Sequence, residues 1–181
     1  MKKVFMFVNV DWFFLSHRLP IAKAAQKNNI DMTVYTEFTR SHNKNLLDGF
    51  NLLSSPMRRR SKSVLHFILE FAKVYKIIQI GKPNLIHAVT IKPILVMGVI
   101  ARLTSTPFIG SISGLGPVFR ADNFFAKLRL WIVLRIFRLV FQRKDASVIC
   151  QNCHDRDFLV SHDLCPIEKI ILINGSGVDL E

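Results

Sequence analysis

Short apolar runs alternate along this chain with longer segments of helical character, and that rhythm restricts the fold more than any other feature. VFMFV (4–8), MTVYT (32–36), LIHAV (85–89), FIGSI (108–112), SVICQ (147–151) and IILI (170–173) are mostly apolar throughout rather than alternating, as expected of strands covered by helices on both faces. A weaker run occupies 50–53. Helices are expected between them. The first ends near Lys27, with Pro20 in its first turn and Asn28 and Asn29 closing it, and the second runs from Val64 to Ile80, stopped by Gly81 and Pro83. Others run from about Pro93 to Leu103, from Asn123 to Gln142, and from Asp155 to about Ser161, with Pro166 preventing continuation. The alternation predicts an α/β fold: a doubly wound, mainly parallel, Rossmann-like sheet of six or seven strands with helices on both faces.

Length and composition suit one such domain. The 181 residues are 50% hydrophobic, enough for a real core and inconsistent with a disordered chain. The charge is lopsided, with 25 Lys and Arg against 13 Asp and Glu and a net charge of +12. An anionic partner follows: nucleic acid, a phosphorylated ligand or an acidic lipid surface. The plainer reading is a solvated basic face, or one half of a larger protein whose other half is acidic. The first apolar run ends at Asn9, too short for a secretory leader, and the three cysteines, Cys150, Cys153 and Cys165, are odd in number, so a reducing cytoplasm is the expected compartment. Cys150 and Cys153 form a C-x-x-C without a second pair to complete a zinc site, and buried structural thiols are expected there rather than a metal or redox centre.

The segment FFAKLRLWIVLRIFRLVF (124–141) is hydrophobic enough to raise the question of a membrane span. Its cations argue against one, since spanning would bury Arg135 and Arg138 at a cost of several kcal/mol. At about 100° per residue, Lys127, Trp131, Arg135, Arg138 and Gln142 share an arc of roughly 80°, with Ile132, Val133, Ile136, Leu139 and Val140 opposite. This suits either a helix packed on the sheet that also lies against phospholipid headgroups, or a core helix with snorkelling cations.

In an open parallel sheet, ligands bind beyond the carboxyl ends of the strands. The first such connection, NVDWFFLSHRLP (9–20), lacks G-x-G-x-x-G, which disfavours a nicotinamide or flavin enzyme. Asp11, His17 and Arg18 can hydrogen-bond hydroxyls or phosphates, while Trp12 and Phe13 offer flat apolar faces. Alternatively Phe14 and Leu15 are core, and His17 and Arg18 a capped helix start. In SISGLGPVFR (111–120), the spacing of Gly114 and Gly116 allows positive φ or close ligand approach, ahead of a helix start that favours anions. Arg58, Arg59 and Arg60 are either a phosphate contact or a solvated run. His87 reads as a buried structural histidine ahead of a catalytic one.

In order, these pieces resemble the N-terminal domain of retaining GT-B glycosyltransferases of family 4, the group that assembles lipopolysaccharide, capsule and related bacterial surface glycans. The matching stretches are DWFFLSHRLPIAKAA, KPNLIHAVTIKP, ISGLGPVF, ICQN and INGSGVDLE. The resemblance implies that 1–175 form an acceptor-binding domain and 176–181 begin a linker to a C-terminal donor-binding domain that this sequence does not contain. It implies an acceptor site drawn from Asp11, Trp12, His17, Arg18, Gly114 and Gly116, with Asn152, Gly175, Ser176 and Gly177 on the interdomain or donor side. The substrates implied are a nucleotide sugar and a polyprenyl diphosphate-linked glycan, with no metal or other cofactor and no nucleic acid. Arg58, Arg59, Arg60, Lys127, Trp131, Arg135 and Arg138 would hold such an enzyme peripherally on the cytoplasmic face of a membrane. Relatives often carry His or Asp in the loop after the fifth strand, where this chain has SGLGPVF. No catalytic side chain is therefore assigned, and the chain alone is expected to transfer little or no sugar. The competing expectation is a non-catalytic basic Rossmann-like module that binds a membrane surface or nucleic acid.

Overall fold

The computed structural model describes residues 1–39, 50–57, 63–116, 119 and 123–175. Seven strands form one sheet: β1 (Lys2–Val10), β2 (Ile30–Glu37), β3 (Asn51–Ser54), β4 (Leu85–Val89), β5 (Phe108–Ile112), β6 (Ala146–Cys150) and β7 (Ile170–Leu172). Their order is β3-β2-β1-β4-β5-β6-β7, and every neighbouring pair is parallel. The connecting helices are α1 (Asp11–His17), α2 (Leu19–Lys27), α3 (Val64–Gly81), α4 (Ile91–Leu103), α5 (Phe124–Phe141) and α6 (Cys153–Ser161). The doubly wound sheet expected from the apolar rhythm is present.

Strand alternation sorts the core into two layers. Met6, Val8, Val34 and Val89 face Phe14 of α1 and Ala22 of α2. Phe5, Phe7, Ile86, Ala88, Phe108, Ile112 and Val148 belong to the opposite layer, with Val74 and Ile78 of α3, Ile94 and Met97 of α4, Phe137 and Phe141 of α5, and Leu159 of α6. Each large side chain fully buried there contributes on the order of 2 kcal/mol relative to exposure.

Four details differ from the sequence reading. The expected helix with Pro20 in its first turn is α2, and a further short helix, α1, precedes it, closed where the Arg18 N–H donates to Phe14 O at 2.8 Å. At the end of α3 it is Lys82, not Gly81, that takes the left-handed conformation, with φ 43°. Gly81 serves packing instead, because a Cβ there would lie 2.5 Å from the Phe5 ring. The buried stripe of α5 is Val133, Phe137, Val140 and Phe141, whereas Ile132 and Leu139 are each 44% exposed. The cause lies in β5: a Cβ at Gly110 would sit 2.7 Å from Phe141 Cζ, so the missing side chain admits that ring and turns the helix. Finally, Cys150 is buried but Cys153 is exposed on the first turn of α6, so only one of the C-x-x-C pair is a core thiol. Burial pushes the Cys150 and Cys165 thiols up to about 12 and keeps them protonated.

Candidate functional site

The sheet order reverses at β1, whose neighbours are β2 and β4, so the crevice at the carboxyl ends of β1 and β4 is the ligand position of this architecture. Side chains fill it. Asn9 Nδ2 donates to Thr90 Oγ1 at 2.6 Å and ties the ends of β1 and β4 together. Thr90 holds φ 75° and ψ 162°, a conformation costly for a β-branched residue, and its N–H donates to Ser111 O at 3.0 Å. Neither Asn9 nor Thr90 was picked out from sequence. The only signal was a lone amide closing one apolar run and a lone hydroxyl closing another.

Asp11 starts α1 directly and is only 2% exposed. Its carboxylate accepts from Thr39 Oγ1 at 2.7 Å, from Thr39 N at 3.1 Å and from Trp12 N at 2.9 Å. It is a joint between β1 and the segment after β2, rather than the open hydrogen-bonding group expected. Trp12 keeps its face free at 46% exposure. Phe14 is wholly buried, as its core reading required. His17 stacks on Phe13 with centroids 4.4 Å apart, and its Nδ1 lies 2.5 Å from Ser16 Oγ.

Arg18 is the least expected of these residues. It is 5% exposed, its guanidinium lies 5.8 Å from the centroid of the Phe13 ring, and it donates over long distances to His17 O (3.4 Å) and to Ser113 Oγ beyond β5 (3.5 Å). Burial pulls its pKa below the ordinary value. His87, 6% exposed, pairs Nε2 with Ser111 Oγ at 2.7 Å. Burial first, and the Arg18 charge second, lower its pKa to about 4, so it is a neutral imidazole at neutral pH. Gly114 and Gly116 take φ 131° and 63°, and nothing lies within 4 Å of a Cβ built on Gly114. The turn after β5 therefore needs its glycines and is open on that side.

The remaining expected residues lie elsewhere. Asn152 caps α6, accepting from Asp155 N at 2.8 Å and donating to its carboxylate at 2.9 Å, so its amide is committed within the chain. Gly175 has φ 74°, while Ser176, Gly177 and Arg58 to Arg60 lie outside the described residues. Along α5, Lys127 and Trp131 are exposed, and Arg135 covers the Trp131 ring at 5.2 Å. Arg138 departs from the expected stripe and braces the loop after α6, donating to His162 O at 3.0 Å and to Asp163 O at 2.9 Å. With Arg102, Arg143, Leu139 and Gln142, Arg135 and Arg138 line a cationic groove of about 630 Å3. It lies toward the carboxyl ends of α4 and α5, the edge opposite the switch point. Among the described residues, no helix is long and apolar enough to cross a membrane.

Residues 3–152 match the glycosyl transferase 4-like family. No curated protein is similar enough in sequence to count as a relative. Among solved structures, the UDP-N-acetylglucosamine 2-epimerase of Rickettsia bellii superposes with a TM-score of 0.62 at 13% identity, over 97% of this chain and 45% of that one. Acinetobacter baumannii MurG gives 0.60 at 14% identity, over 99% and 47%. The UDP-GlcNAc 2-epimerase of Neisseria meningitidis, bound to UDP-GlcNAc, gives 0.63 at 13% identity, over 97% and 47%. At such identities the likeness is one of fold, and the chain spans about half the length of these structures.

Proposed function

The chain belongs to the glycosyl transferase 4-like family, and from that premise we propose that it is the acceptor-side half of a glycosyltransferase. In this reading residues 1–175 hold a glycan acceptor carried on a polyprenyl diphosphate, 176–181 lead into or toward a second Rossmann-like domain, and that domain binds the nucleotide sugar. The reaction serves cell-surface polysaccharide synthesis and needs no metal or other cofactor. The observation carrying the proposal is a switch point filled by Asn9 and Thr90 and flanked by Arg18, with His87 deeper in β4 and Trp12 exposed on α1. Such a crevice offers hydrogen bonds and an aromatic face but no glycine cradle for a dinucleotide after β1. Epimerases share the fold, so the fold alone does not choose the reaction.

The exposed cations and Trp131 of α5 suit peripheral attachment to the cytoplasmic face of a membrane, where a lipid-linked acceptor resides. The groove between α4 and α5 lies apart from the switch point, which keeps one second reading in play: a basic module that binds anionic surfaces without catalysis. Transfer of labelled sugar from nucleotide sugars to a bacterial lipid extract separates the two. Residues 1–181 alone should transfer little or nothing, because in this reading the second domain supplies the preorganised partners of the donor phosphates, and fusion to or co-expression with a matching second domain should restore transfer. Robust transfer by the chain alone overturns the division of labour. No transfer with any family partner favours the non-catalytic module.

A further inference from the structure

We propose that Arg18, Ser113 and the turn through Gly114 and Gly116 form an anion subsite for a diphosphate ester, which, resting on the reading above, is the diphosphate of the lipid-linked acceptor. Arg18 faces the Phe13 ring but has no anionic partner among the described residues. A guanidinium has five N–H donors, and this one, in a residue 5% exposed, has two long hydrogen bonds to neutral oxygens and an Nε with no partner. No carboxylate hydrogen-bonds or ion-pairs with it among the described residues. Asp11, the acid nearest to it in sequence, is turned to Thr39 and Trp12. Removing an unpaired cation from water is costly unless a counter-charge completes the site.

The surroundings point to where that counter-charge sits. Arg18 reaches Ser113, and Ser113, Gly114 and Gly116 are all exposed, so the buried guanidinium meets solvent at that hydroxyl. The space beside Gly114 is empty, and a turn with positive φ at two glycines can aim backbone N–H groups at an anion. Beside Arg18, His87 is bonded to Ser111 through Nε2 and supplies no negative charge to pair with it. Sugar hydroxyls alone do not neutralise a cation, whereas the fork of an arginine matches phosphate oxygens two at a time. Ser113, Gly114 and Gly116 follow β5 at the carboxyl edge of the sheet, next to the switch point.

The test is titration of residues 1–181 with inorganic pyrophosphate, followed by calorimetry and by thermal unfolding. Pyrophosphate should bind and raise Tm. Arg18→Met should weaken binding at least tenfold while leaving the unliganded Tm unchanged or higher, because the substitution removes an uncompensated charge. Arg18→Lys should retain part of the binding, and Ser113→Ala should lose several-fold. Failure of the parent to bind pyrophosphate overturns the subsite. So does unchanged binding by Ser113→Ala together with a large drop in unliganded Tm for Arg18→Met, which would make the arginine a structural brace. Competition then assigns the source: farnesyl diphosphate should displace pyrophosphate at concentrations where UDP does not. The reverse order leaves the subsite standing and overturns its assignment to the acceptor.

Discussion

His87 sits in the centre of β4, in register with Met6 and Ile109, and shares its environment with a cation eighteen residues into the chain. Its folded pKa of about 4 lies below the ordinary histidine value of 6.5. As pH falls, the unfolded chain takes up this proton first, so the contribution of the neutral ring is complete above about pH 6.5 and is lost toward pH 4. The difference amounts to about 3 kcal/mol. Tm measured across that window should therefore fall for the parent. His87→Gln, which keeps a hydrogen-bonding group near Ser111 but cannot charge, should show a flatter acid limb, and a parallel pair of curves would refute the linkage. That His87 is a core residue could be read from its apolar run. Its coupling to Arg18 could not, because the contact joins segments far apart in sequence.

Among the elements, α4 and α5 show how closely these helices meet. A Cβ at Gly98 would lie 2.6 Å from Val140 Cγ2. In an isolated helix, alanine is better than glycine by about 1 kcal/mol. Here the overpacking outweighs that gain, and Gly98→Ala should destabilise by roughly 1–2 kcal/mol in urea unfolding, while a stabilised variant would refute the close approach. Arg138→Gln should also lose stability, on the order of 1 kcal/mol, since it removes the donors to His162 O and Asp163 O. Arg135→Gln should leave Tm unchanged, because Arg135 only covers Trp131. The sequence periodicity located α5 to within a residue at each end, and β4 and β5 coincide with their apolar runs. The rotation of α5 was hidden because it depends on Gly110 making room for Phe141, a fact of another strand. The separate helix α1 before Arg18 was hidden because no capping side chain at Val10 marks its start.

On the scale of the whole chain, a net charge of +12 has to be reconciled with a switch point that engages few of the cations. Arg18 is buried there, and Arg138 and Arg143 are tied to Asp163 and Asp145. Lys127, Arg129 and Arg135 remain exposed on α5 beside Trp131, Leu128 and Ile132, which are 55%, 47% and 44% exposed. Apolar and cationic surface interleaved on one helix fits a headgroup layer over acyl chains better than it fits a nucleic-acid duplex, which has no apolar depth to fill. The chain should therefore bind vesicles containing phosphatidylglycerol and should not bind vesicles of phosphatidylcholine alone, each exposed cation contributing on the order of 1 kcal/mol near the surface. Binding should weaken steeply once salt passes physiological strength, where the screening length falls below about 8 Å. Arg135→Gln should weaken it further without affecting Tm, which separates the surface charge from the fold. Duplex DNA offered at the same charge concentration should bind more weakly and lose what affinity it has over the same salt range. If DNA binds as tightly as the anionic vesicles, or if Arg135→Gln binds the vesicles as well as the parent does, α5 presents a solvated basic face and the membrane half of the proposed function is wrong.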